Sequence, residues 1–325
     1  MLAPNETPKT ILAVDLGATH GRLAVLDGAA TPLAERAIET QIHTGPDQVL
    51  DRACTILLEL LEECQRKPAT VCGIGIGIPG PVNSATSRAV QPPIMPGWHD
   101  FPIKKVVQAR IAAPVLVEND ANMMALAESQ LNYPDSPSML YVKVATGIGA
   151  GIVIAGEIYD GVDGGAGDIG HIKIPAAAGY RCNCGSEGCL AAVASGSAIA
   201  RRLADAHGAS SSRDVVRLVQ NGVADAVTAT RDAGRLIGGV LSTAVSLLNP
   251  GVLVLGGDMA QTNEHFLLGL REVLYQQTQP LATRSLQVAA SQLGDRAGIL
   301  GAAILVREHV FSPASVNQVV ARHQR

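Results

Sequence analysis

Two segments of this chain follow the same short plan, and that repetition restricts the folds open to it. Ile11 to Val14 is an apolar run leading into Asp15-Leu-Gly-Ala-Thr19, and Arg22 to Leu26 comes straight back. Leu140 to Val144 is a second apolar run, followed by Thr146-Gly-Ile-Gly-Ala-Gly151 and a returning Ile152 to Ile154. Apolar runs of strand length around a glycine turn predict hairpins. A polar, proline-marked passage at Pro134 to Pro137 separates them. Identity between the halves is slight, yet the shared opening points to two related lobes. The first lobe continues with a helix beginning near Pro46, carrying Leu50, Leu57, Leu58 and Leu61 on one face and closed by Pro68. Val71 to Ile78, where Gly and Ile alternate, reads as a strand packed closely against something; Val115 to Val117 reads as a strand running into Glu118-Asn-Asp-Ala-Asn122. The second lobe holds a helix over Ala224 to Leu248, stopped by Asn249-Pro250, and a strand, Val252 to Leu255, feeding Gly256-Gly257. Alternating strands and helices predict an α/β architecture.

A length of 325 residues is enough for two such lobes. Hydrophobic residues at 47% against 17% charged argue for a compact chain, and 3% aromatics leave its core to Val, Leu, Ile and Ala. A formal charge of -4 gives no electrostatic reason to expect a nucleic-acid partner. No apolar run nears the roughly 20 residues of a membrane helix, so no membrane partner is expected. The opening MLAPNETPKT lacks the basic region and apolar stretch of a signal peptide, and a cytoplasmic location is expected. Cys54, Cys64 and Cys72 lie scattered among aliphatic residues, whereas Cys182, Cys184 and Cys189 are clustered. In a reducing compartment such a cluster reads as metal ligation or redox chemistry.

Glycine at the tip of a hairpin lets backbone N–H groups face an anion with no side chain between. Asp15 is placed to hold a magnesium ion through water, and Thr19 adds a hydroxyl. Thr146, Gly147 and Gly149 offer a second such turn. Two cradles on two lobes suit a triphosphate clamped in a cleft, although either turn alone reads as a plain tight turn. Asp120, at a strand end between Asn119 and Asn122, suits a general base that takes a proton from an attacking hydroxyl. The same Asn-Asp-Ala-Asn also reads as a helix N-cap; one residue can cap while its neighbour catalyses. Gly75-Ile-Gly77-Ile-Pro-Gly80, with Asp100 beyond it, matches the dinucleotide fingerprint. Pro79, Pro81, Pro92 and Pro93 forbid the helix that fingerprint needs, so a dehydrogenase is a poor reading.

In this order the motifs resemble the actin-like kinases, specifically the ROK family of repressors and sugar kinases. The likeness spans nearly the whole chain. It rests on Asp15-Leu-Gly-Ala-Thr-His-Gly-Arg22, Gly77-Ile-Pro-Gly80, Glu118-Asn-Asp-Ala-Asn122, Thr146 to Gly151, Gly170-His171, the cysteine cluster and Gly256-Gly257. It implies a two-lobed actin-like (ribonuclease H-like) ATPase fold with a cleft between the lobes. The expected lobes are 9–122, joined by a C-terminal helix 302–325, and 123–301. The resemblance further implies ATP with Mg2+ at Asp15, Gly17, Thr19, Thr146, Gly147 and Gly149, with Gly256 and Gly257 near the adenosine. Asp120 would be the catalytic base, and Gly80, Asn119, Asp120, Asp168 and His171 would contact a sugar. A homodimer or homotetramer is expected.

His171 is followed by ten residues, Cys182-Asn-Cys184, four more and Cys189. Three thiolates and one imidazole make a closed tetrahedral zinc set, the pattern of a structural site. A redox motif wants C-x-x-C at a helix start, which this spacing does not offer. By the resemblance, the 171–189 insertion lies beside the sugar, its histidine holding zinc and touching a sugar hydroxyl, so that zinc fixes the sugar-facing loop.

The chain also departs from the family pattern. Asp168 stands where the kinases usually have Glu three residues before the zinc histidine. Ala191 stands where they usually have Glu two residues after the last cysteine. A buried sugar hydroxyl left without an acceptor there costs about 1–3 kcal/mol. Only ten residues precede the first strand, too few for the helix-turn-helix of the family's repressors. Two readings follow: an ATP-dependent, glucokinase-like sugar kinase, and a regulator-type sugar-sensing protein with weak or no kinase activity. Asp15, Thr19, Asp120 and both glycine turns favour the enzyme; the missing carboxylate at Ala191 argues for the alternative. The Asp15-Leu-Gly-Ala-Thr-His20 start, the Gly167-Asp-Ile-Gly-His171 segment and the Leu293-Gly-Asp-Arg-Ala-Gly298 segment look more like the regulators than the glucokinases.

Overall fold

The computed structural model describes residues 9–312 apart from Ser84 and Asn263. Two compact units emerge, and the division falls inside one helix. The first takes residues 9–127, 162–164 and 295–312 of those described; the second takes 128–161 and 165–294.

The first unit begins with β1 (Thr10–Leu16), β2 (His20–Asp27) and β3 (Pro32–Glu39), followed by α1 (Pro46–Glu63). Next come β4 (Val71–Ile78), the small pair β5 (Val82–Asn83) and β6 (Arg88–Ala89), α2 (Ile103–Arg110), β7 (Val115–Asn119) and α3 (Asp120–Asn132). Its main sheet has the order β3-β2-β1-β4-β7. β1 pairs antiparallel with β2, β2 antiparallel with β3, and β4 parallel with both β1 and β7. β1 is buried along its whole length, as a central strand covered on both faces must be. Its alternating residues serve two cores. Leu12, Val14 and Leu16 pack with α1, α2 and Trp98, while Ile11 and Ala13 pack against the last helix of the chain. Asp15 has the parity of Ile11 and Ala13 and so faces that helix. α1 starts at Pro46, whose missing N–H costs nothing in a first turn, and buries Leu50, Leu57 and Leu61; Leu58 is half-buried at the edge of the same core.

The second unit holds β8 (Ser138–Val144), β9 (Ile148–Ile154), β10 (Glu157–Ile158), α4 (Leu190–Ala194), α5 (Gly196–His207), α6 (Ser212–Gln220) and α7 (Ala224–Leu248). β11 (Val252–Gly256), α8 (Glu264–Gln277), α9 (Pro280–Thr283) and β12 (Gln287–Ala290) complete it, and α10 (Ala297–Phe311) returns to the first unit. The sheet order is β10-β9-β8-β11-β12, with antiparallel pairs in the first three strands and parallel pairs in the rest. Strand for strand, this is the order and direction of the first sheet. Leu140, Val142 and Val144 of β8 point into the core built with α4 to α8. α7 ends where Asn249, left-handed at φ 44, caps it before Pro250.

The alternating glycines of β4 have a packing cause. A Cβ at Gly75 would lie 2.5 Å from the Ala302 carbonyl oxygen, and one at Gly73 would lie 2.5 Å from a Val306 methyl. Gly301 returns the favour, since its Cβ would meet the Met123 carbonyl oxygen at 1.9 Å. The dinucleotide-like spacing therefore seats α10 against the sheet. Two boundaries differ from the sequence expectation. The returning strand of the second hairpin begins at Ile148 rather than Ile152, because ladder pairing carries Gly149 and Gly151 into the sheet. The C-terminal helix begins at Ala297 rather than 302; residues 313–325 of that expectation, like residues 1–8, lie outside those described. No helix among the described residues is long and apolar enough to cross a membrane.

Candidate active site and metal centre

In the first unit, strand ends place two buried acidic residues on either side of one glycine. Asp15 at the end of β1 is 8% exposed and Asp120, opening α3, is 4% exposed. Gly77 of β4 lies between them. A Cβ there would sit 3.5 Å from the Asp15 Oδ1, 3.6 Å from the Asp120 Cα and 3.1 Å from the Met123 sulfur. On the other side, a Cβ at Gly298 would meet the Asp15 Oδ2 at 2.2 Å and Cγ at 2.3 Å. Glycines at 77 and 298 thus form the slot that holds the Asp15 carboxylate. Gly17 makes the hairpin turn, donating its N–H to the His20 carbonyl at 2.7 Å, and the exposed Thr19 hydroxyl lies 2.8 Å from the His20 Nδ1.

Asn119 does the capping beside Asp120. Its Oδ1 accepts from the N–H groups of Ala121 (2.9 Å) and Asn122 (3.3 Å), and its Nδ2 donates to the Gly80 carbonyl at 3.0 Å. Glu118 braces the segment by accepting from the Asn119 N–H at 2.7 Å and the Asn122 Nδ2 at 2.9 Å. Cap and carboxylate are therefore neighbouring residues with separate tasks. Gly80 has its carbonyl engaged by Asn119 and is packed against Pro92, so it and Asn119 position this strand end.

In the second unit the turn between β8 and β9 is residues 145–147. The Ala145 N–H donates to the Gly147 carbonyl at 2.9 Å, and the Ser197 hydroxyl holds the Thr146 carbonyl at 2.7 Å. A side chain at Gly147 would meet nothing within 4 Å among the described residues, so the turn is open to an incoming group. Ser195 caps α5 through the Ala198 N–H, and the Gly196 N–H donates to the Ala145 carbonyl at 2.8 Å, fixing α5 beneath the turn. Gly149 pairs with Lys143 inside the sheet. Gly256 ends β11 and Gly257 follows it. A Cβ at Gly256 would lie 1.7 Å from the Tyr141 hydroxyl, and Gly257 is left-handed at φ 79. Asp258 then ties this turn to α6, accepting from the Ser212 hydroxyl at 2.5 Å with the Arg213 Nε 3.8 Å away. α6 opens with a capping box in which the N–H and hydroxyl of Ser210 hold the Asp214 carboxyl well below the usual carboxylate range.

His171, Cys182, Cys184 and Cys189 converge in the second unit, their ligand atoms all within 4.8 Å of one another. The Cys182 sulfur is 3.6 Å from the His171 Nδ1, and the Cys184 sulfur is 3.7 Å from that of Cys189. Tetrahedral zinc with bonds of about 2.3 Å to sulfur and about 2.0 Å to nitrogen sets edges of about 3.5–3.8 Å, so the donor set fits the metal. Burial, followed by the neighbouring sulfurs, pushes the Cys182 thiol up to about 11; a divalent cation inverts that balance and favours thiolates. The Lys173 ammonium donates to the Cys189 sulfur at 3.1 Å and to the Glu187 carbonyl at 2.5 Å. With Nδ1 turned to the cysteines, the His171 Nε2 faces the half-exposed Asp168, whose Oδ1 lies 4.0 Å away. Ala191, the second residue of α4 and two residues after Cys189, is half-buried against the core.

Sequence reasoning missed Gly298, Ser197, Lys173 and the Asp258–Ser212 tie. Each acts through a partner distant in sequence, and only Gly298 lay in a motif that had been singled out.

The comparisons bear on this arrangement directly. A glucokinase from Halalkalibacterium halodurans is 30% identical over 94% of this chain and 98% of its own. A putative xylose repressor from Caldicellulosiruptor sp. is 29% identical over 94% of this chain and 80% of its own. Among solved structures, a ROK family glucokinase from Streptomyces griseus, in complex with glucose and AMPPNP, matches with a TM-score of 0.80 and 27% identity, over 92% of this chain and 99% of that one. This similarity assigns the paired sheets to the two-lobed actin-like ATPase fold. The ROK family profile matches residues 11–309, from the first strand through the last helix, and the chain belongs to that family.

Proposed function

We propose that this chain is an ATP-dependent sugar kinase that transfers the γ-phosphoryl group to a hydroxyl of a hexose or hexose derivative. The observation that carries this reading is the placement of Asp15 and Asp120 on either side of Gly77, both buried, with the Asp15 carboxylate confined between Gly77 and Gly298. Asp120 takes the proton of the attacking hydroxyl as its oxygen bonds to the γ-phosphorus and ADP leaves. Asp15 faces the nucleotide's phosphates, where Mg2+ bound with ATP neutralises charge. Gly17, its N–H bonded to the His20 carbonyl, shapes the turn that follows Asp15; backbone N–H groups at Thr146 and Gly147 cradle the phosphates, and Gly256 and Gly257 lie near the adenosine. Asn119 and Gly80 keep the base in place, while Asp168 and the His171 Nε2 face the sugar. His171, Cys182, Cys184 and Cys189 would hold zinc, which in a closed four-ligand site would brace the sugar-facing segment and supply no catalytic chemistry.

Similarity to a xylose repressor, with Asp168 and Ala191 in place of the usual glutamates, supports a second reading as a sugar sensor with little or no turnover. An ATP-consumption screen over hexoses, pentoses, amino sugars and N-acetylated sugars, paired with thermal-shift binding, separates the two. ADP and sugar phosphate formed with at least one sugar support the kinase. Binding of a sugar with no turnover overturns it in favour of the sensor.

A further inference from the structure

Lys143 occupies, in the second sheet, the place that Asp15 occupies in the first. β1 and β8 are both central strands of 7 residues, and Asp15 and Lys143 are each the last residue but one. Each strand leads into a turn of the same length, residues 17–19 and 145–147. Each of the two residues pairs across the parallel ladder with a glycine, Asp15 with Gly77 and Lys143 with Gly256. On its other side Lys143 pairs with Gly149. Directly paired residues share a face of the sheet, so Lys143 has a glycine on both flanks; the Tyr141 hydroxyl fills the space beside Gly256, and Gly149 adds no side chain on the other flank. Leu140, Val142 and Val144 point into the helical core, which puts Lys143 on the opposite face with Tyr141, the residue whose hydroxyl lies under Gly256. Tyr141 and Val142 are 1% and 0% exposed, whereas Lys143 is half-buried at the strand end nearest the open Thr146-Gly147 turn. Central strands rarely carry lysine, because burial disfavours an ammonium unless an anion lies beside it.

We infer that Lys143 is a polyphosphate-binding residue, its ammonium set between the Thr146-Gly147 and Gly256-Gly257 turns to contact the β- or γ-phosphate of the nucleotide. This rests on the kinase reading and deepens it. The carboxylate position of the first sheet serves the metal side of a nucleotide, and the same position in the second sheet serves its phosphates with a cation. Neither glycine turn supplies a full positive charge, and Lys143 does.

Calorimetric titration of the full chain with MgATP, tripolyphosphate and AMP tests the inference, using Lys143→Met and Lys143→Arg. Loss of one charge-assisted contact weakens MgATP and tripolyphosphate binding by about tenfold to a hundredfold. AMP affinity stays as in the parent, the Lys143→Met melting temperature without nucleotide stays close to the parent's, and Lys143→Arg retains most of the affinity. Unchanged MgATP binding by Lys143→Met in a protein that still phosphorylates sugar overturns the inference alone. An equal loss for AMP and MgATP, with a lowered melting temperature, overturns it in favour of a structural lysine. A parent that binds neither MgATP nor tripolyphosphate overturns both it and the kinase reading.

Discussion

Gly298→Ala is a substitution that ordinary helix energetics favours and this structure opposes. Gly298 lies in the first turn of α10, where alanine is worth about 1 kcal/mol more than glycine. The added Cβ, however, would come 2.2 Å from the Asp15 Oδ2 and 2.3 Å from its Cγ, against an ordinary contact of 3.4 Å or more. The carboxylate has to move by more than an ångström, yet Gly77 and Met123 close the other side. Overpacking of this kind costs about 1–3 kcal/mol, so the helix gain is cancelled or exceeded and the net expectation is a loss of up to about 2 kcal/mol, or a melting point lower by up to roughly 8 °C. Displacing a catalytic-site carboxylate that far lowers turnover about a hundredfold. In an Asp15→Gly background the conflict disappears and the helix gain remains, so the same substitution stabilises there. Thermal melts of the four proteins of the cycle, with sugar phosphorylation by the parent and Gly298→Ala, make the assay. A Gly298→Ala protein as stable and as active as the parent would refute the reasoning.

Two further substitutions address the metal centre and the sugar-facing segment. Cys184→Ser removes one of four ligands; elemental analysis should show about one zinc per chain in the parent and far less in the variant, with a lower melting temperature. A fully folded, zinc-free parent would contradict the metal assignment. Ala191→Glu restores a carboxylate two residues from zinc-pinned Cys189 and should tighten glucose about tenfold by calorimetry. If every sugar's affinity stays unchanged, residue 191 does not line the sugar site.

Much of the fold was legible because its strands obey simple rules. The apolar runs of β1 and β8 and the glycines after them announced two hairpins, and the proline after Asn249 marked the end of α7. The clustering of His171 with three cysteines was legible because the four residues fall within a short stretch at metal-ligand spacing. Boundaries were misread where glycine carries two meanings. Gly149 and Gly151 look like turn residues, but they lie in β9, where pairing with Lys143 and Tyr141 outweighs local preference. The Gly75 and Gly77 spacing looks like a nucleotide fingerprint, yet it accommodates α10 and the Asp15 carboxylate. Ser197 carried no local signal, and Gly298, although part of the Leu293–Gly298 motif, gave no sign of its task, because their partners Thr146 and Asp15 are set by tertiary packing. Lys143 was passed over as the interior of an apolar strand; only the register against Gly149 and Gly256 gives it meaning.

The central claim is that Asp120 acts as the base of a phosphoryl transfer to sugar. Asp120→Asn keeps the shape of the α3 start, including the Asn119 cap, and removes the proton acceptor. Single-turnover formation of sugar phosphate from MgATP, followed by phosphorus NMR with the most active sugar of the screen, measures the step itself. The rate should fall about 10²–10⁴-fold while the MgATP dissociation constant stays near the parent's. Sugar phosphate formed by Asp120→Asn at the parent's rate would contradict it.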